Sequence, residues 1–151
     1  MMTTHIGCMS SLELHRPRSE EQWTAYHDIR RMVLFERRGR FGVYDASHPD
    51  EHKPENHPLL LLVDGEPVGT IRVDLSRDSA IFRRVAVREE VQRRGYGRAM
   101  LRLAEQFARE RGSRRIQSFV DRGAVGFYER CGFVRDPEAV NDESTVLMYK
   151  D

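Results

Sequence analysis

The sequence predicts a mixed α/β fold: a mostly antiparallel sheet that carries one strand–helix–strand crossover, with helices packed on it. Three observations predict it. "PLLLLVDGEPVGTIRVDLS" (58–76) holds two apolar or alternating runs joined by Asp-Gly, the strongest short turn signal, and "AIFRRVAV" (80–87) continues the meander as a third strand. "YGRAMLRLAEQFARER" (96–111) places apolar residues at helical spacing and is closed by Gly112. "RRIQSFV" (114–120) then returns to strand character, so that helix joins two strands of one sheet. At 151 residues the chain holds one core comfortably and two poorly, so residues 1–151 are read as a single domain.

Residues 1–10, "MMTTHIGCMS", have no steady period and read as a loose arm. Leu12 to Leu14 alternate and form a short first strand. Ser19-Glu-Glu-Gln22 is a capping box, a serine oxygen for a free backbone N–H and a glutamine that reaches back. Trp23, Tyr26, Ile29 or Arg30, and Val33 follow at helical spacing. The first helix therefore runs from about Glu20 to Arg38, broken near its end, and Gly39 stops it. Residues 40–57 are rich in Asp, His, Pro and Asn and form a long loop.

Leu59 to Val63 is a nearly continuous apolar strand. From Val68 to Leu75 the side chains alternate, with Ile71, Val73 and Leu75 on one face and Thr70, Arg72 and Asp74 on the other. The 96–111 helix buries Tyr96, Met100, Leu103, Ala104 and Phe107. "AVGFYERC" (124–131) is a short helix stopped by Gly132. "GFVRD" and "STVLMYK" supply the last two strands.

Composition excludes several classes. Lys and Arg number 25 against 24 Asp and Glu, a net charge of +1, so no global basic field points to nucleic acid. No apolar run is long enough to span a membrane. The N-terminus lacks the charged and apolar regions of a signal peptide. Two cysteines, Cys8 and Cys131, could pair, but they make no disulfide framework, and a reduced cytoplasmic protein is expected.

"VQRRGYGRAM" (91–100) is the chemically loaded stretch. A helix N-terminus leaves backbone N–H groups unpaired and attracts anions. Gly95 and Gly97 let the backbone turn and approach a ligand with no Cβ in the way. Arg93, Arg94 and Arg98 add charge at the same point. Strand, Gly-x-Gly and helix together make a phosphate cradle. A plain strand-to-helix turn with solvated arginines fits the same letters. No Gly-Lys-Ser/Thr follows, so this is no Walker loop, and no third glycine completes a dinucleotide fingerprint.

Gln92-Arg93-Arg94-Gly95-Tyr96-Gly97 resembles the Gln/Arg-x-x-Gly-x-Gly/Ala motif of the GNAT superfamily of acyl-CoA N-acyltransferases. "RRVAV" looks like that family's fourth strand, and "GAVGFYERCGF" is similar to its Asn-Ala-x-x-Phe-Tyr-x-x-x-Gly-Phe signature. The resemblance covers about residues 58–135. It implies a sheet splayed at a bulge between the family's fourth and fifth strands, with helices on both faces. It implies acetyl-CoA as co-substrate, with its pyrophosphate in the cradle formed by Gln92, Arg93, Arg94, Gly95, Tyr96, Gly97 and Arg98. The backbone of Val85, Ala86 and Val87 would bond pantetheine, and a backbone N–H there would polarise the thioester carbonyl. The implied reaction is direct attack of a primary amine through a tetrahedral intermediate, with Tyr128 giving a proton to the departing thiolate. Many relatives also pair as homodimers.

The chain departs from the motif twice. Ile81 stands where many members carry a glutamate, which leaves the base unassigned among Asp74, His48, His52, His57, a water, or an amine that arrives neutral. Gly123 stands where an asparagine often contacts the cofactor, and is kept as a cofactor contact. The 45–57 loop would border the acceptor, with Asp45, Asp50 and Glu51 drawing a cationic amine. Its three histidines could ligate zinc, but their spacing and the prolines favour a polar loop, and no metal is expected. Arg72 and Arg84 lie within strands and need partners: Asp74 for Arg72, or a substrate carboxylate for either. The acceptor would be a small molecule or peptide. The alternative to an enzyme is an acyl-CoA-binding sensor without catalysis.

Overall fold

The computed structural model describes residues 2–6 and 10–151, with the side chains of 11–151. Cys8, weighed above as a partner for Cys131, lies outside the described residues. The elements are β1 (Met2–Ile6), β2 (Ser10–His15), α1 (Glu20–Arg30), β3 (Asn56–Val63), β4 (Glu66–Ser76), β5 (Ser79–Val87), α2 (Tyr96–Glu110), β6 (Arg115–Asp121), α3 (Val125–Arg130), β7 (Val134–Arg135) and β8 (Thr145–Lys150). One sheet contains all eight described strands in the order β1-β2-β3-β4-β5-β6-β8-β7. Only β5 and β6 pair in parallel, joined by the α2 crossover, and the other neighbours are antiparallel. The arm expected over residues 1–10 is strand over Met2–Ile6, which adds an edge by pairing with β2.

Helices cover both faces, which explains the unbroken apolar run of β3. Leu59 and Leu61 pack with Met100, Leu103 and Ala104 of α2. Leu60 and Leu62 face the other way, with Tyr26 and Ile29 of α1. Each such side chain, buried fully, contributes about 1.5–3 kcal/mol, so neither face can lose its helix cheaply. The Asp64-Gly65 turn has positive φ at both residues, 50° and 85°, as a two-residue hairpin of this hand requires.

The first helix breaks as expected. Ser19 Oγ accepts the Gln22 N–H at 3.1 Å, and Gln22 Oε1 accepts the Arg18 N–H at 2.8 Å. After α1 the chain widens into a π-helical turn at Arg31–Phe35 and tightens into a 3-10 turn at Glu36–Arg38. Gly39, at φ +77°, ends it.

Candidate active site

The β5–β6 ladder runs only from Ser79↔Arg115 to Phe82↔Ser118. Beyond that rung the two strands separate, although β5 continues to Val87 and β6 to Asp121. A bulge on β5 starts the separation: Thr70 pairs with Ala86 and Arg72 with Arg83, so Arg84 and Val85 oppose Ile71 alone. Arg84 sits there at φ +55°, a backbone conformation uncommon outside glycine. The result is a cleft of about 1110 Å3 between the strands and over the start of α2.

At one end of the cleft is the cradle. Arg93 (φ +66°) and Gly95 (φ +86°) bend the loop so that it enters α2 with no side-chain cap. The first helical backbone bond there is the Ala99 N–H to Gly95 O, so the earlier N–H groups have no partner within the helix. A Cβ on Gly95 or Gly123 would meet nothing within 4 Å, whereas one on Gly97 would press on Phe127 Cζ at 3.3 Å. Gln92, Arg93, Gly95, Tyr96, Gly97, Arg98 and Gly123 line the cleft, as do Val85, Ala86 and Val87. Arg94 is exposed and does not. Gln92 Nε2 donates to the Val87 carbonyl at 2.9 Å, so this side chain ties the loop to the strand end. These residues fit a pyrophosphate followed by an amide-bearing arm along β5. Gly95→Val should therefore lose most coenzyme A affinity while staying folded, because valine is strained at that φ and crowds the approach; calorimetry with a circular-dichroism control reads both.

At the apex, Ser118 is buried and its Oγ donates to the Phe82 carbonyl at 3.3 Å, on the last paired rung. Tyr128 is 6% exposed and lines the same point. Burial pushes its phenol up to about 12, against a smaller opposing pull from Ser118. It keeps its proton at neutral pH, as a donor must. Cys131 caps the C-terminal end of α3, and burial raises its thiol.

On the α1 face the charges form a network. The Glu51 side chain is 3% exposed and takes Arg30 at 2.7 Å, Arg72 at 3.0 Å and the Tyr26 hydroxyl at 3.1 Å. Arg72 also grips Asp74 with two bonds, of 2.7 and 2.9 Å, and Arg83 reaches Asp74 at 3.0 Å. Burial alone would raise the Glu51 carboxyl, yet Arg30 and Arg72 hold it below its usual range.

These contacts correct the loop reading. Glu51 is not a lip residue, because its carboxylate is enclosed by two guanidiniums. Asp50 lines the cleft but is held by Lys53 at 3.0 Å, which keeps its carboxyl below the usual range. Arg72 takes the Asp74 partner and so is not free for substrate. Asp74 is held by two arginines, so its oxygens are not free to meet the amine. His57 lies against Phe107 on the α2 face, away from the cleft, whereas His48 and His52 are exposed. Among the described residues no three metal-ligating side chains gather. Arg84 lines the cleft and has no carboxylate within salt-bridge distance among the described residues.

Phe35, Arg40 and Ser118 carry no signal in the sequence, and Tyr26 is legible there only as a residue of the apolar helix stripe. For the network as a whole one signal exists: Arg30 falls on the apolar stripe of the first helix, and a charge there needs a buried partner.

Residues 12–133 match the model of the acetyltransferase (GNAT) family. The chain belongs to that family. It is an N-acetyltransferase by that membership, and relatives agree. A Bacillus subtilis (strain 168) protein assigned as an acetyltransferase is 26% identical over 121 residues, covering 76% of this chain and 78% of its own. An acyl-CoA N-acyltransferase from Pseudomonas aeruginosa superposes with a TM-score of 0.77 at 17% identity, covering 95% of this chain and 100% of its own. The spermidine N-acetyltransferase from Vibrio cholerae, in complex with CoA and spermine, gives 0.69 at 18% identity, covering 91% of this chain and 94% of its own. At such identities the solved structures establish the shared fold. No helix among the described residues is long and apolar enough to cross a membrane.

Proposed function

We propose that the cleft takes acetyl-CoA, pyrophosphate at the α2 N-terminus and pantetheine along Val85–Val87, and presents the acetyl group to a primary amine. The observation that carries this reading is the splay: an uncapped helix start and a stretch of β5 with no β6 partner lie in one cleft that Tyr128 also lines. Bound there, acetyl-CoA would supply a thioester that an amine attacks, with coenzyme A departing as a thiolate that takes its proton from water.

Each role falls to a group of this chain. The α2 N-terminus neutralises phosphate charge. A β5 backbone N–H beside the bulge polarises the carbonyl. Tyr128 donates its hydroxyl toward the departing sulfur. No candidate side chain is placed as base, so the amine loses its proton to water. The reaction is cytoplasmic and needs no metal or nucleic acid. The acceptor is a small molecule or a peptide, and the spermine bound by the Vibrio cholerae protein is not carried over, because Asp50 and Glu51, two of the three carboxylates expected to draw a cationic amine, are paired here.

The test incubates the protein with acetyl-CoA and a broad amine panel, following free thiol and the mass gain of one acetyl group. Thiol release that depends on an amine supports the enzyme. Tight coenzyme A binding with no transfer to any amine would leave the sensor reading instead.

A further inference from the structure

The acceptor end of the cleft has a surplus of positive charge. On the α1 face of β4 and β5, four guanidiniums (Arg30, Arg72, Arg83, Arg84) stand against two carboxylates, Glu51 and Asp74, which the first three share. Both carboxylates are occupied, and Arg84 is left over. The bulge is the cause. Arg83 reaches Asp74, and Arg84 lies over the Phe35 ring at 5.7 Å, so two successive side chains leave on one face where a regular strand would split them. The positive φ of Arg84 fixes that direction.

Phe35 carries a second cation. Arg40 stacks on the same ring at 5.1 Å and has no carboxylate within salt-bridge distance among the described residues. Phe35, Arg40 and Arg84 all line the cleft. The one cleft-lining carboxylate without a cationic partner among the described residues is Glu55, which is exposed. Burial, with the Arg30 and Arg72 charges beside it, pulls the Arg84 guanidinium below its ordinary value. A cation in that setting gains from an anion that the protein does not supply. The position also separates it from the cradle: Arg84 is at the apex of the splay, where the ladder ends at Phe82↔Ser118, whereas the phosphate groups belong beyond Val87 at α2.

We infer that the acceptor is an amine that also bears a carboxylate, an amino acid or a compound of that kind, whose carboxylate is held by Arg84 at the β5 bulge. This inference rests on the N-acetyltransferase reading. It reverses the charge preference that Asp50 and Glu51 implied in the sequence.

The experiment compares three forms of each acceptor: α-amino acids, their carboxamides, and the decarboxylated amines, each with acetyl-CoA. Wild-type protein should favour the acids in kcat/KM by roughly 10–100-fold, the worth of a charge-assisted hydrogen bond. Arg84→Gln should remove that preference through KM and leave coenzyme A affinity unchanged; Arg84→Lys should keep part of it. Equal use of acids, amides and amines by the wild type, or an unchanged ratio in Arg84→Gln, overturns the inference while leaving N-acetyl transfer intact. The arm that does not need turnover is calorimetry of N-acetyl-amino acids and their amides on protein saturated with coenzyme A. Binding of the acids alone, lost in Arg84→Gln, supports the carboxylate site; binding of neither, or of both equally, overturns it.

Discussion

Tyr128→Phe lowers kcat by roughly 10²–10⁴-fold, the usual contribution of a positioned acid–base group, and leaves acetyl-CoA affinity nearly unchanged. The ring is 6% exposed and packs edge-on against Phe127 and Phe133, with ring centroids 5.6 and 5.4 Å away. Phenylalanine keeps that packing, so the substitution isolates one oxygen. The buried setting refines the role. A free phenol titrates near about 10 and a thiol near about 8.5, whereas this hydroxyl is pushed up to about 12. Complete transfer to a fully formed thiolate is uphill, so the hydroxyl acts by a hydrogen bond that strengthens as charge builds on sulfur. The alkaline limb of kcat should then lie near the phenol's raised value rather than near neutrality. Wild-type kcat in the variant, under conditions where chemistry limits the rate, returns Tyr128 to packing. Loss of cofactor affinity alongside kcat assigns the hydroxyl to cofactor positioning.

The site divides into parts that the sequence shows and parts that it hides, and the division follows range. The hairpin at Asp64-Gly65, the cap at Ser19 and the helix stop at Gly39 are local, each set by a few adjacent residues with special dihedrals, and they are legible. So is the cradle, because Gly95 and the α2 start are neighbours in the chain. The splay is implied only by resemblance, since nothing in "AIFRRVAV" marks where a partner strand leaves. The β5 bulge is likewise implied only by resemblance, and the strand's own letters hide it: strict alternation sends Arg83 and Arg84 to opposite faces. The edge strand Met2–Ile6 is hidden because it pairs on one side only and carries no period. Glu51 is the instructive case. In the sequence it stands in a polar loop beside Asp50 and looks solvated. In the fold, a short 3-10 turn (Pro49–His52) carries it beneath α1, where partners 21 residues away in each direction, Arg30 and Arg72, enclose it.

Glu51→Ala lowers stability by roughly 3–5 kcal/mol, the cost of breaking a buried ion pair from one side. For a chain of this size each kcal/mol moves Tm by about 2–4 °C, so melting should fall by on the order of 10 °C. The cause is what remains. Arg30 is 4% exposed, and after the substitution its guanidinium keeps the Tyr26 hydroxyl as a hydrogen-bond partner and no carboxylate, with its Nε already unpartnered. Arg72 is better placed, because Asp74 still holds two of its nitrogens. That asymmetry gives a second measurement. Arg30→Met combined with Glu51→Leu removes the buried unpaired charge together with its partner, and the double variant should melt above Glu51→Ala alone. The pH dependence follows in sign. Arg30 and Arg72 hold the folded carboxyl below its unfolded value, which is about 4.3, so its stabilisation is complete above that pH and is lost as pH falls through the lower folded value. Wild type should therefore lose Tm in acid more steeply than Glu51→Ala does. Because Arg72 links that carboxylate to Asp74, and Asp74 to Arg83, the acceptor end should loosen with it: Glu51→Ala, assayed well below its melting point, raises acceptor KM more than it weakens coenzyme A binding. An unchanged Tm in Glu51→Ala would mean that the two arginines find water instead, and the network would then hold neither the fold nor the bulge.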